Sequence, residues 1–216
     1  MTEQKPFRVE TNVDAPLDAV WLALTTPERI REWFGYDYPG IDEEIRVIFD
    51  TGAELTPSER LTFDDGSSIE LIADGPRTIV RAVMPGPLAD AEWEDLFDAV
   101  TEGWRTYLEQ LRFLLETSPA GRRRTIYLTG EVASGPLLEV AGAGEPRHDG
   151  RRQRTIVNAD GHLVVAAADH ALTSGESGPA NILISTYGLD DAAFAGERDR
   201  WAARWHAVAK NSEVTT

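Results

Sequence analysis

The stretch "NVDAPLDAVWLALTTPERIREWFG", residues 12–35, decides the fold, because its spacing sets two short helices back to back. Leu17, Val20, Trp21 and Leu24 fall at i, i+3, i+4 and i+7, one face of a helix, and Pro16 suits its first turn, where a missing N–H removes nothing. Thr26-Pro27 restarts the count, with a hydroxyl cap expected at Thr26 and Ile30, Trp33 and Phe34 as the next apolar set. Gly35 is a natural stop. Neither helix is long enough to hold by itself, so both must lie against an apolar surface.

Outward from this stretch, "PFRVETNV" alternates as a strand before it. After it, strand patterns occur at "EEIRVIF" (Ile45, Val47 and Phe49 on one face), "ERLTF", "SSIELIA" and "RTIVRAVM", with "DTG", "DDG" and "ADGP" as turns. Together they predict an antiparallel meander. The period then changes. "LADAEWEDLFDAVTEGWRTYLEQLRFLLE" carries Trp93, Phe97, Val100, Trp104, Tyr107, Leu108, Leu111, Leu114 and Leu115 at spacings of three and four, a long amphipathic helix with Asp90 as its cap. Gly103 beside Trp104 suggests close approach of another backbone. The second half repeats the theme. Strands are expected at "RTIYLTG", "PLLEVAG", "QRTIVNA", "HLVVAAA" and "NILISTY", with "NADG" as a hairpin turn and no helix pair after the first strand. A last helix runs through "DDAAFAGERDRWAARWHAVAK" with Phe194, Trp201, Trp205 and Val208 on one stripe.

Composition bounds the function. The 216 residues are 42% hydrophobic and 27% charged, values of an ordinary globular chain. The net charge of −16 excludes a nucleic-acid partner and an anionic membrane surface, since phosphate binding needs clustered Lys and Arg. Residues 1–117 hold 10 basic and 25 acidic side chains, whereas residues 118–216 hold 11 and 12, which marks two units with a boundary at "TSPAGRRRT". There is no cysteine, so thiolate and disulfide chemistry are excluded. "MTEQKPFRVE" has no apolar core and no run approaches a membrane span, so neither signal peptide nor membrane helix is expected, and a cytoplasmic location follows.

These residues carry a resemblance. A first strand followed by "APLDAVWLALTTPERIREWFG" resembles the opening of the START-like (SRPBCC) superfamily, in the branch similar to bacterial activators of the heat-shock chaperone ATPase. "VTEGWRTYLEQLRFLLE" is similar to that family's ending, and "ILISTYGLDDAAFAGERDRWAARWHAVA" looks like a second ending. The middle stretch "FDTGAELTPSERLTFDDGSS" departs from the pattern, lacking the Gly-Gly-x-apolar-Arg strand usual there. The resemblance implies an α+β helix-grip fold: a curved antiparallel sheet around a long C-terminal helix over residues 1–117. Residues 118–216 would be a second, degenerate sheet-and-helix unit, truncated at its N-terminus.

It also implies a cavity between sheet and long helix. The wall would be supplied by Trp21, Trp33 and Phe34 from the short helices, and by Val100, Trp104, Tyr107, Leu108 and Leu111 from the long one. The function so implied is the binding of a small apolar molecule. The alternatives are a co-chaperone-like module that regulates a heat-shock chaperone ATPase, and a cyclase or hydratase using the same cavity. No catalytic residue is assigned, because no nucleophile elbow, phosphate loop, dinucleotide fingerprint or zinc-protease motif is present. The acid runs 42–44 and 92–98 read as solvated faces. Arg46, Arg60 and Arg81 interrupt strand patterns and point either outward into ion pairs or inward to a ligand. His162 and His170, eight apart, would share one strand face too widely spaced for a common ion, so no metal and no cofactor is expected.

Overall fold

The computed structural model describes residues 7–84 and 92–216. Its contacts divide the chain into two units, Met1–Gly35 with Gly40–Ser118, and Tyr36–Pro39 with Pro119–Thr216.

Unit 1 begins with strand β1 (Phe7–Val13), then helices α1 (Leu17–Thr25) and α2 (Pro27–Ile30). Val20, Ala23 and Leu24 of α1 are buried, while Trp21 is half-buried. The helices are separated by Thr26, which is extended at φ −105° and ψ 116°. The expected hydroxyl cap is absent: Thr26 makes no side-chain capping bond. The break comes instead from Pro27, whose ring pushes the residue before it out of the helical region. Gly35 takes φ +59°, the left-handed turn that glycine adopts without a Cβ penalty.

The sequence reading fails at residues 41–51. In place of a strand stand helix α3 (Ile41–Ile45) and a π-helical segment (Arg46–Thr51). Ile41, Ile45 and Phe49 are buried and Val47 is 48% exposed. Spacing of four therefore selects the buried set, and the alternation of Ile45, Val47 and Phe49 was coincidental. Gly52 ends the segment where an added Cβ would lie 2.5 Å from the Val47 carbonyl oxygen, so only glycine lets the wide turn close.

Strands β2 (Ala53–Thr56), β3 (Arg60–Phe63), β4 (Ser68–Asp74) and β5 (Arg77–Met84) follow, and helix α4 (Glu92–Thr117) ends the unit. The sheet is antiparallel in the order β1-β5-β4-β3-β2. β1 and β5 pair from Phe7–Met84 to Val13–Thr78, and α4 packs on β1. Leu108, Leu111, Phe113 and Leu114 are its buried stripe. Asp90, the expected cap, and the side chains of Trp93 and Phe97 lie outside the described residues. The arginines that interrupt the strands point outward. Arg81 pairs with Glu10 at 3.2 Å and Glu70 at 3.3 Å, Arg60 pairs with Glu70 at 3.5 Å, and Arg46 pairs with Glu43. Arg8, and then Arg81, hold the Glu10 carboxyl below the usual carboxylate range, and Arg46 does the same for Glu43.

Unit 2 contains β6 (Arg123–Ala133), α5 (Ser134–Ala141), β7 (Glu145–Asp149), β8 (Gln153–Val157), β9 (Leu163–Ala168), β10 (Ser177–Tyr187), α6 (Asp191–His206) and β11 (Lys210–Thr215). "PLLEVAG" forms helix α5 rather than a strand, burying Leu137, Val140 and Ala141 at spacings of three and four. Arg204 donates to the Glu139 and Val140 carbonyls at 3.1 and 2.6 Å and so satisfies the end of α5. Asp190 caps α6 by accepting from the Ala193 N–H at 2.8 Å. Phe194, Trp201 and Trp205 of α6 enter the core, and the Trp205 indole donates to the Thr129 carbonyl at 2.9 Å. Val208 does not join that stripe, lying beyond the helix and 38% exposed. The segment Tyr36–Pro39 completes the unit. Tyr36 stacks on Tyr127 at 4.2 Å, and the Asp37 carboxylate accepts from the Thr125 N–H at 2.6 Å.

The second sheet runs β11-β6-β10-β9-β8-β7. Without β11, its order is the order of the first sheet: the opening strand pairs with the last of the meander and the others follow in reverse. A helix follows the opening strand in both units, a pair in unit 1 and the single α5 in unit 2. The second unit was expected to lack the helix pair, and the single helix α5 stands at that place.

The helical reading of residues 41–51 makes a quantitative prediction. Phe49→Ala should cost about 3–5 kcal/mol in urea unfolding, as for a buried aromatic, and Val47→Ala no more than about 0.5 kcal/mol. A strand would make the two losses comparable.

Candidate functional site

Unit 1 carries an open cavity of about 380 Å³, at the small end of ligand pockets. Its apolar wall is built from four places in the chain: Phe34 after α2, Val47, Ile48 and Phe49 of the π-helical segment, Phe63 of β3, and Trp104 with Tyr107 of α4. The rings meet mostly edge to face. Phe34 lies 5.1 Å from Phe49 at 79°, Phe49 lies 5.8 Å from Phe63 at 90°, and Trp104 lies 6.2 Å from Tyr107 at 82°. Phe34 and Tyr107 join the short-helix side to α4 at 4.9 Å. Such pairs set the positive edge of one ring against the negative face of the next.

The polar part of the lining is acidic: Glu44, with Asp64 and Asp65 on the exposed turn between β3 and β4. Asp65 holds that turn by accepting from the Ser67 N–H at 2.8 Å and the Ser67 hydroxyl at 2.6 Å. Among the described residues, no lysine, arginine or histidine lines the cavity. A second hollow, of about 270 Å³, is lined by Asn12, Asp14, Arg77, Arg112 and Glu116. Its charges already pair, Arg112 with Glu116 at 3.1 Å and Arg77 with Asp14 at 3.5 Å, which leaves little to recognise a ligand.

Of the eight residues expected on the wall, Phe34, Trp104 and Tyr107 stand on it. Trp33 lies directly behind, 5.8 Å from Phe34 and 6.0 Å from Phe49, its indole N–H donating to the Ala23 carbonyl at 2.9 Å. Leu108 and Leu111 are core residues at 2% and 0% exposure. Trp21 and Val100 are half-buried and away from the lining. Val47, Ile48, Phe49 and Phe63 were missed as wall residues; the spacing of Ile41, Ile45 and Phe49 was the signal that would have found the first three. Gly103 has no heavy atom within 4 Å of an added Cβ, so the expected close backbone approach is not there.

Sequence spacing also missed a grouping in unit 2. Asp160, His162 and Glu197 place one potential ligand atom each within 4.8 Å of one another. The expected pairing of His162 with His170 on one strand face does not occur: His162 precedes β9 and His170 lies beyond its end.

Two antiparallel sheets, each with a helix after its opening strand and another after its meander, define an α+β protein of the sheet-and-helix kind that the opening residues resemble. No family model and no curated protein matches the chain. Among solved structures it is similar to DynU16 of the dynemicin biosynthetic locus, with 21% identity over 95% of this chain and 96% of that one and a TM-score of 0.41. It is also similar to Aha1 from Colwellia psychrerythraea, with 18% identity over 52% of this chain and 97% of that one (TM-score 0.39). A third is the di-domain ARO/CYC protein BexL of the BE-7585A biosynthetic pathway, with 11% identity over 96% and 99% of the two chains (TM-score 0.34). Among the described residues no helix is long and apolar enough to cross a membrane.

Position decides what each truncation costs. Leu111→Ala, in filled core, should lose about 2–5 kcal/mol on thermal or urea unfolding. Trp104→Ala should lose less than the roughly 3–5 kcal/mol of a fully enclosed tryptophan, because its cavity side has no partner atoms to forfeit. Equal, full-sized losses would make Trp104 ordinary core.

Proposed function

We propose that the protein binds a small apolar molecule in the cavity of unit 1. The observation that carries this reading is the lining itself: seven apolar or aromatic side chains from four separate segments around about 380 Å³, with acid as the only charge among the described residues. Burying apolar ligand surface there supplies about 25 cal/mol per Å², and the rigid rings lose little conformational freedom on binding. The carboxylates select against anions, since a ligand carboxylate near them adds like-charge repulsion in a partly desolvated site. Neutral ligands, or apolar ligands with a hydrogen-bond donor or a cationic end, fit. Binding is favoured over catalysis because Asp64 and Asp65 stand on an exposed turn and no histidine or lysine accompanies them in the described lining.

We further propose that residues 118–216 are a degenerate second START-like unit, supported by the shared strand order of the two sheets and the helix at the matching place. The β11 strand is an addition at the outer edge of β6.

A neutral polarity-sensitive dye such as Nile red should bind at a 1:1 ratio with a blue shift. An apolar probe of similar shape carrying a carboxylate should bind at least about tenfold more weakly, a difference of 1.4 kcal/mol. Ile48→Trp, which fills the cavity from its wall, should abolish dye binding while the far-UV spectrum is unchanged. No saturable binding by the parent protein would refute the proposal.

A further inference from the structure

We propose that Asp160, His162 and Glu197 form a binding site for a divalent transition-metal ion, with zinc the best match. The three residues come from two elements. Asp160 and His162 sit on the turn between β8 and β9, and Glu197 sits on the second turn of α6. One ring nitrogen of His162 and one carboxylate oxygen from each acid lie within 4.8 Å of one another.

Burial is the independent argument. His162 is 6% exposed, and its Nδ1 is fully enclosed with no hydrogen-bond partner. A buried imidazole nitrogen without a partner carries a desolvation cost that a metal or a proton donor would remove. Glu197 is also 6% exposed, an uncommon place for a carboxylate unless it is paired. Its pairing is with Arg200, one turn along α6, through Oε1. Arg200 is 67% exposed, so it can move into water, and a carboxylate has a second oxygen to offer.

The turn is set before any ion arrives. The Asn158 side-chain oxygen accepts from the Asp160 N–H at 3.1 Å and the His162 N–H at 2.9 Å, and Gly161 takes φ +79° between them. The two ligands are therefore presented by a rigid loop against a helix whose core face holds Phe194 and Trp201.

The donor set selects the ion. One imidazole and two carboxylates give three protein ligands of borderline character, leaving a position for water. Calcium would want six to eight oxygens, and magnesium keeps most of its waters and makes no use of imidazole. Around zinc, with bonds of about 2.0–2.2 Å, ligand atoms lie roughly 3.3–3.5 Å apart. Asp160 is the one exposed member of the grouping, whose ligand atoms lie within 4.8 Å of one another.

The test uses the full chain, stripped with chelator and titrated with Zn²⁺ by calorimetry and with Co²⁺ by visible absorbance. The expected result is one ion per chain. Asp160→Asn, an exposed change that leaves the fold intact, should weaken binding by about 100-fold or more, since even supporting groups of a metal site cost 10–100-fold. His162→Ala should do the same, and Arg200→Ala, which removes the cation competing for Glu197, should tighten it. His206→Ala, an exposed histidine bonded to Ser212 at 2.7 Å, should change nothing. The site is overturned if the parent shows no saturable binding of either ion up to about 1 mM, near −4 kcal/mol. It is equally overturned if binding survives unchanged in Asp160→Asn.

Discussion

The first unit depends on a chain of aromatic rings that runs through segments far apart in sequence. Trp33 meets Phe34 and Phe49 edge to face, Phe49 meets Phe63, and Phe34 reaches Tyr107 and through it Trp104. The rings outside α4 come from elements too short to stand alone. Helix α2 is one turn, and the π-helical segment spans six residues. Neither could persist without the area that these rings bury. The fully buried Trp33 is affordable only because its indole N–H finds the Ala23 carbonyl on the neighbouring short helix. Five of the same rings, Phe34, Phe49, Phe63, Trp104 and Tyr107, line the cavity.

What could be read from the sequence was what local periodicity controls. The spacing of Leu17, Val20, Trp21 and Leu24 and the proline at 27 place both short helices, and the alternation in 68–84 places two strands in register. Where two periods fit the same letters, the reading failed. "EEIRVIF" satisfies a period of two through Ile45, Val47 and Phe49, and a period of four through Ile41, Ile45 and Phe49. Only the tertiary partners of Phe49, which are Phe34, Trp33 and Phe63, decide between them. "PLLEVAG" failed for the same reason at shorter length. The wall residues carried by 47–49 were lost with that segment, whereas those on α4 and at Phe34 were legible because their elements were. The grouping of Asp160, His162 and Glu197 was illegible for a different cause: two of its members are 35 residues or more from the third, and no spacing rule links a hairpin turn to a helix face.

The identical strand order of the two sheets separates fold from chemistry within one chain. One topology carries an aromatic-walled cavity in unit 1. In unit 2 the core cluster joins small and branched side chains of β9, Val164, Ala166 and Ala168, with Phe194, Trp201 and Trp205 of α6. Small side chains on the strand leave room for the two tryptophans in that shared cluster. The difference lies in which face received bulk, not in how the strands are connected.

Charge completes the case for what the cavity can hold. Eight of the ten basic residues among 1–117, namely Arg8, Arg29, Arg31, Arg46, Arg60, Arg77, Arg81 and Arg112, are engaged in ion pairs with carboxylates of the same unit. Most of those pairs are surface pairs, worth little to stability individually. Their larger effect is on the field. None of those arginines is in the described lining, where Glu44, Asp64 and Asp65 meet the cavity. A low-dielectric hollow with fixed negative groups at its rim repels an approaching anion before contact and leaves a neutral molecule unaffected. In the proposed binding role, selection by charge would follow from where the arginines pair, and selection by shape from the rings.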